Sequence, residues 1–319
     1  MKILYFGSDY FGIPSLEKIL EKHEIKGIVT SPDKPAGRGM KICPNTIKKW
    51  AVNNNLKVYQ PEKLDKPFIE LLKTLEIDVL ILISYGKKIP REIIEIPSKG
   101  ATNVHPSLLP KYRGAAPIEW ALINGEKETG VTIIKMSNRI DEGDILSVRK
   151  ITIEDKDDIF TMKKKLSFLS AEMVVEVLDS IEKNRLKSTP QTGISSYARK
   201  LSKKDGLIDW NLSSERINNL IKGVKEWPGA YTFIQTAGGS KKYLKIFSAE
   251  KAYGDTADKK PGEIINLTED AIEVACGTGS LLIYEVQVEG KKKNRASEFI
   301  RGYRIKTGTI FSNSCNSNG

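Results

Sequence analysis

Residues 101–144 read ATNVHPSLLPKYRGAAPIEWALINGEKETGVTIIKMSNRIDEGD. This pattern predicts a strand that stops at a proline, a rigid loop, a helix over 115–124 entered through Pro117, a strand over 129–136 and a carboxylate-rich loop. Asn103 and His105 are two residues apart, so in an extended chain both side chains leave the same face. Pro106 has no N–H to donate and ends the ladder. A polar pair at the carboxyl end of a strand, followed by a loop rich in Pro and Gly, stands where open α/β sheets bind ligands. Downstream, Asp141, Glu142 and Asp144 crowd around Gly143. Carboxylates this close repel, which leaves one of them free to pair with His105, one of only two histidines.

Upstream, KILYFG at 2–7, a helical pattern at 13–20 and a second apolar run at 25–29 form a βαβ opening. The turn GSDYFG at 7–12 lacks the G-x-G-x-x-G spacing of dinucleotide binding. Tyr10 and Phe11 in that turn suit either a pocket lining or helix-edge packing. Helices are expected over 45–53 and 67–75. The run DVLILI at 78–83 predicts a buried parallel strand whose end, Ser84-Tyr85-Gly86, lies beside the end of the Asn103 strand. A further strand over 143–152 and a long helix over 159–181, with one apolar stripe, complete a doubly wound α/β domain.

From residue 209 the period changes. One helix over 213–224 precedes short strands at 231–235, 243–249, 262–267, 271–275 and 281–288, separated by glycine turns, and this predicts a small closed β-barrel. The expected division is therefore a catalytic domain over 1–185, a linker over 186–205, a barrel over 206–311 and a polar tail over 312–319.

A chain of 319 residues is long enough for two cores. Its net charge is +11, and residues 183–204 alone hold seven basic side chains and no acidic one. Such a segment fits a polyanionic partner or, equally, a solvated linker. The loop TSPDKPAGRGMKICP at 30–44 adds Lys34, Arg38 and Lys41 on a flexible, proline- and glycine-rich backbone suited to phosphate contact. No apolar run is long enough to span a membrane, and a cytoplasmic location is expected. Cys43, Cys276 and Cys315 share no short spacing, so neither a metal site nor a disulfide framework is expected.

Asn103, His105 and Asp141 together form an acyl-transfer set. An uncharged imidazole accepts a proton from an attacking amine, a carboxylate holds the ring, and an amide donates to a developing oxyanion. No serine or cysteine sits in a nucleophile-elbow motif, so the substrate amine attacks directly. The alternative is that a strand-end Asn and His are structural partners.

The run NVHPSLLPKYRGAAPI at 103–118, with DEGDIL at 141–146, resembles the signature of the folate-dependent formyltransferases. The resemblance implies a Rossmann-like formyltransferase domain that takes a formyl group from 10-formyltetrahydrofolate and passes it to an amine, with Asn103, His105 and Asp141 as the catalytic set. It also implies folate contacts from Ile83, Ser84, Tyr85 and Gly86, from Ser107, Leu108, Leu109 and Pro110, and from Glu142, Gly143 and Asp144. PAGRG at 35–39, YARKLSKKDGLIDW at 197–210, WPGAYT at 227–232 and EFIRGYRIKTGTIF at 298–311 extend the likeness to two-domain members that act on initiator methionyl-tRNA. For those members the second domain is a C-terminal small barrel of the OB-like kind, and the RNA contacts fall on Arg38, Lys34, Lys41, Lys200 and Lys203. No metal and no obligate protein partner are implied. Two other readings are an amino-sugar-nucleotide formyltransferase and a non-catalytic tRNA-binding module.

Overall fold

The computed structural model describes residues 1–36, 40–235, 241–252 and 256–313. They divide into two compact units: Met1–Pro117, Glu128–Ile153 and Thr161–Arg199 form the first, and Ile118–Lys127, Glu154–Phe160 and the chain from Lys200 form the second.

Elements of the first unit, and those that leave it, run in the order β1 (Lys2–Phe6), α1 (Ile13–Leu20), β2 (Glu24–Val29), β3 (Lys34–Ala36), β4 (Lys41–Cys43), α2 (Thr46–Asn53), β5 (Val58–Tyr59), α3 (Lys66–Lys73) and β6 (Val79–Ile83). They continue with α4 (Arg91–Ile94), β7 (Ala101–His105), β8 (Arg113–Gly114), α5 (Pro117–Ile123), β9 (Glu128–Lys135), β10 (Ile145–Thr152), α6 (Ile159–Glu182) and β11 (Tyr197–Ala198). The main sheet has the order β10-β9-β7-β6-β1-β2-β5. The β7-β6-β1-β2-β5 portion is parallel, and β9 and β10 are added antiparallel. Strand order reverses between β1 and β6, so a crevice opens at their carboxyl ends, where Ser8 N donates to Ser84 O. This is the doubly wound sheet that the apolar runs predict, and the Rossmann-like arrangement that the resemblance implies.

Local signals explain the helices. Asn45 and Asp65 cap α2 and α3 by accepting from Lys48 N and Phe68 N, and Pro67 occupies the first turn of α3. On α6 the apolar stripe is buried at Ile159, Met162, Leu166, Met173, Val174, Val177, Leu178 and Ile181. Ser167 Oγ donates to Phe11 O at 2.6 Å, which ties this helix to the first βα turn. Phe11 itself is buried, so of the two readings its packing role is the one realised.

The second unit contains α7 (Ser214–Gly223), β12 (Ala230–Gln235), β13 (Lys241–Ala252), β14 (Ile264–Leu267), β15 (Ile272–Ala275), β16 (Ser280–Val288), β17 (Asn294–Arg295), α8 (Ala296–Tyr303) and β18 (Phe311–Ser312). An antiparallel sheet of order β14-β15-β16-β13-β12-β18 curls around Trp210, Leu244, Ile246, Ile264, Val274 and Ile283. Its two ends meet through Gly308 N to Ile264 O, Ile264 N to Thr309 O and Phe311 N to Gly262 O, each 2.8 Å. The expected barrel is thus a half-barrel sealed by a short seam. Helix α8 has no counterpart in the sequence reading.

His23 supplies a pH test of the first unit. The ring is buried, and its Nε2 has no hydrogen-bond partner among the described residues. Burial lowers its proton affinity below the ordinary value of 6.5. The unfolded chain therefore binds the proton first as pH falls below 6.5, so stability is full above that value and declines beneath it. His23→Gln is expected to flatten that decline. Denaturant midpoints of both proteins at pH 7.5 and 5.5 measure it, and parallel curves would dismiss the linkage.

Candidate active site

Strand β7 carries Asn103 and His105 to the carboxyl edge of the sheet, between β6 and β9. His105 is 4% exposed and Asp141 7%. Asn103 Nδ2 donates to Asp141 Oδ1 at 3.0 Å, and Gly114 N donates to Asp141 Oδ2 at 2.9 Å. The His105 Nδ1 atom lies 3.6 Å from the same Oδ2. The structure thus brings all three expected residues into one cluster, with Asn103 half-buried beside the two buried side chains.

The other ring nitrogen, Nε2, is 2.8 Å from Tyr112 O. A carbonyl oxygen only accepts, so Nε2 carries a proton and donates. In the neutral ring the free lone pair is then on Nδ1, the nitrogen beside Asp141. The Tyr112 carbonyl fixes the tautomer, and the Asp141 carboxylate stands beside the nitrogen that is free to take a proton. Asn103 spends one N–H on Asp141.

Two residues of this cluster have left-handed backbones, Tyr112 at φ +62° and Asp141 at φ +55°. Such geometry persists only where surroundings over-determine it. Ser107 Oγ donates to Lys111 O at 2.7 Å, and Thr132 Oγ1 donates to Ser107 O at 2.6 Å, which holds the loop leading to Tyr112. Gly114 is at φ +113°, and a Cβ there would stand 2.7 Å from Ala198 O, so glycine alone admits the β8–β11 pairing that aims Gly114 N at Asp141.

The expected folate segments divide by burial. Ser84 and Gly86 are exposed while Ile83 and Tyr85 are buried, the latter packed edge-on against Phe6 at 5.2 Å. Burial pushes the Tyr85 hydroxyl up to about 12. Ser107 and Leu109 are buried, whereas Leu108 and Pro110 are half-buried. Glu142 is exposed and pairs with Arg113 and Arg139, each at 3.4 Å, Gly143 is buried, and Asp144 is half-buried.

Lys34 and Lys41 lie exposed on the two-stranded β3–β4 ribbon, a regular element where sequence reading expects a loop. Arg38 lies outside the described residues. Lys200 and Lys203 are exposed in the second unit. Sequence reading assigned no role to Tyr112, Arg113, Gly114, Gln191 or Ser196, which support the cluster through backbone and amide bonds. Ser196 Oγ accepts from Tyr112 N, and Ser196 O accepts from Arg113 N, both at 2.9 Å. Among the described residues no group of three or more His, Cys, Asp and Glu side chains is arranged to hold a metal ion. No described helix is long and apolar enough to cross a membrane.

Fold and cluster define a class of group-transfer enzyme, and comparison with known proteins gives it a family. The profile described as Formyl transferase matches residues 1–178, and that of the Formyl transferase C-terminal domain matches 200–304, so the chain belongs to the formyl transferase family. Two relatives called methionyl-tRNA formyltransferase align over nearly the whole length. That of Dictyoglomus thermophilum is 45% identical, covering 98% of this chain and 100% of the relative. That of Citrifermentans bemidjiense is 40% identical, covering 97% and 96%. Within the family, the chain belongs to the methionyl-tRNA formyltransferases. A solved structure titled as WlaRD, a sugar 3N-formyl transferase in the presence of dTDP and 5-N-formyl-THF, superposes with a TM-score of 0.65 at 20% identity, covering 92% of this chain and 99% of that one. At that identity the likeness concerns the fold.

Proposed function

We propose that this protein transfers the formyl group of 10-formyltetrahydrofolate to the free α-amino group of methionyl-tRNA, the initiator species, in the cytoplasm. The observation that carries the reading is the Asn103–His105–Asp141 cluster, with His105 and Asp141 buried and Asn103 half-buried, in a chain 45% identical to a relative of that name. The amine lone pair attacks the formyl carbon directly, and the new C–N bond forms as the carbonyl oxygen becomes an oxyanion. The other N–H of Asn103 donates to that oxyanion. His105 Nδ1 takes the proton from the attacking nitrogen, with Asp141 opposing the charge that results. Return of that proton to N10 of the folate accompanies cleavage of the old C–N bond. No acyl-enzyme forms and no metal takes part.

In this reading the exposed and half-buried members of the folate segments, Ser84, Gly86, Leu108, Pro110, Glu142 and Asp144, face the donor, and Ile83, Tyr85, Ser107, Leu109 and Gly143 back them. Lys34, Arg38, Lys41, Lys200 and Lys203 contact the phosphates of the RNA. The domain division at 1–185, 186–205 and 206–311 assigns chemistry to the first part, and RNA contacts to its 30–44 segment, the linker and the second domain. Purified protein given 10-formyltetrahydrofolate is expected to formylate methionyl initiator tRNA and to leave an amino sugar nucleotide untouched. Turnover of the sugar nucleotide in place of the tRNA, or tRNA binding without formyl transfer, would displace the proposal.

A further inference from the structure

The segment between α6 and residue 200 does more than join two parts of the chain. Thr189 bridges Ile145 with two backbone hydrogen bonds, Ser196 holds Tyr112 and Arg113, and Tyr197–Ala198 pairs with Arg113–Gly114. Between these anchors stands the half-buried Gln191.

The Gln191 amide divides its hydrogen bonds between the loop that carries Asp141 and Arg113 of β8. Its Nε2 donates to Asp141 O at 2.8 Å and to Gly143 O at 2.9 Å, one hydrogen to each carbonyl. Its Oε1 accepts from Arg113 Nε at 3.2 Å and Nη2 at 2.7 Å. The orientation of the amide follows from these partners. Reversed, it would set oxygen against two carbonyls and NH2 against a guanidinium. Arg113 in turn reaches Glu142 at 3.4 Å, so the Gln191 and Arg113 side chains together tie residues 141, 142 and 143 to β8.

The geometry at Asp141 explains why a donor is needed there. At φ +55° its peptide is turned out of any strand or helix ladder, and the Gln191 amide is the donor that its carbonyl receives. The same residue's carboxylate accepts from Asn103 and Gly114 and faces His105. Release of the backbone therefore lets the carboxylate move relative to both substrate-facing side chains.

We propose that Gln191 is a positioning residue for formyl transfer, clamping the Asp141–Gly143 backbone so that Asp141 is held against His105 and Asn103; the catalytic consequence rests on the function proposed above. Gln191→Ala removes both halves of the clamp. Gln191→Glu is nearly isosteric and keeps an acceptor for Arg113 but replaces the two donated hydrogens with lone pairs aimed at two carbonyls. A misplacement of a reacting group by about 1 Å costs on the order of 100-fold in rate. Both variants are expected to lose kcat by roughly 10- to 100-fold. Their KM for tRNA should stay within about threefold, since no residue assigned to RNA contact is released.

A role confined to holding Arg113 predicts rescue by Glu, and such rescue overturns the proposal, as does kcat within about twofold of the parent in Gln191→Ala. A second readout needs no turnover. The chain has two histidines, so the Cε1–H region of the imidazole carbon–proton spectrum at fixed pH holds two assignable signals. The His105 signal is expected to move in both variants while that of His23 stays, and an unmoved His105 signal overturns the proposal. If the parent protein fails to formylate methionyl-tRNA, the proposed function falls, and the spectra still decide whether Gln191 sets the cluster.

Discussion

Asp141→Asn is expected to lower the turnover number for formyl transfer by roughly 10³- to 10⁴-fold, with the protein folded and tRNA affinity nearly unchanged. Both carboxylate oxygens are already acceptors, one from Asn103 Nδ2 and one from Gly114 N. An amide at position 141 has one oxygen, so one of these donors meets an NH2 group. Gly114 N is held by the β8–β11 pairing and does not turn. The Asn103 side chain is the one that flips, presenting its oxygen to residue 141 and altering which group it offers the oxyanion. The negative charge 3.6 Å from His105 Nδ1 is lost at the same time. An imidazolium formed during the reaction then has no counter-charge, and proton transfer from the amine becomes uphill.

His105→Ala removes the proton acceptor itself and is expected to cost a similar factor. Because the two residues act as one unit, the double variant should be little worse than either single one. Single-turnover rates with pre-bound substrates measure the chemical step apart from product release. Losses that multiply in the double variant, or an Asp141→Asn rate within about tenfold of the parent, would break the assignment of a coupled pair.

Much of this arrangement is written in short-range pattern. The alternation at 101–105, the proline after His105 and the apolar runs at 2–7 and 78–83 place a polar pair at a sheet crevice, and the structure has it there. The stripe on α6 and the five strand-like runs after residue 229 read equally well, because burial on one face leaves a period of 3.6 or 2. What stays hidden is bonding without a period. Strands β8 and β11 are two residues each and pair across more than eighty positions, so neither shows alternation. Gln191 and Ser196 act through single bonds to backbone atoms, which any polar residue in a loop is able to make on paper. In 183–204 the seven basic side chains dominate the composition, and a single uncharged amide among them carries no pattern of its own. Helix α8 escapes for another reason: its eight residues include Gly302 and two charged side chains, and its amphipathic face shows only against β16 and β17.

Trp210→Ala is expected to destabilise the second unit by about 3–5 kcal/mol, the largest stability loss foreseen for a single substitution in this chain. The indole is 2% exposed and stacks on Phe311 with ring centroids 5.4 Å apart and planes at 27°. Its Nε1 donates to Thr232 Oγ1 at 2.9 Å, and its backbone oxygen accepts from Gly277 N. Phe311 N donates to Gly262 O in the seam that joins the ends of the curled sheet, so the ring packs directly behind that seam. Alanine leaves a cavity with Phe311 unstacked on one face, and a seam of three bonds has little to offset it. Unfolding should then separate into two transitions, the earlier belonging to the second unit, and a single denaturation midpoint ceases to describe the chain. Trp210→Phe keeps an aromatic stack and loses the indole N–H. Thr232 Oγ1 still donates to Ser312 O at 3.1 Å, so the cost falls to about 1–3 kcal/mol. Calorimetry with backbone hydrogen exchange assigns each transition to its unit. If Trp210→Ala melted at the parent temperature, or if exchange rose in β6 and β7 instead of β12 to β18, the seam would not be what stabilises the half-barrel.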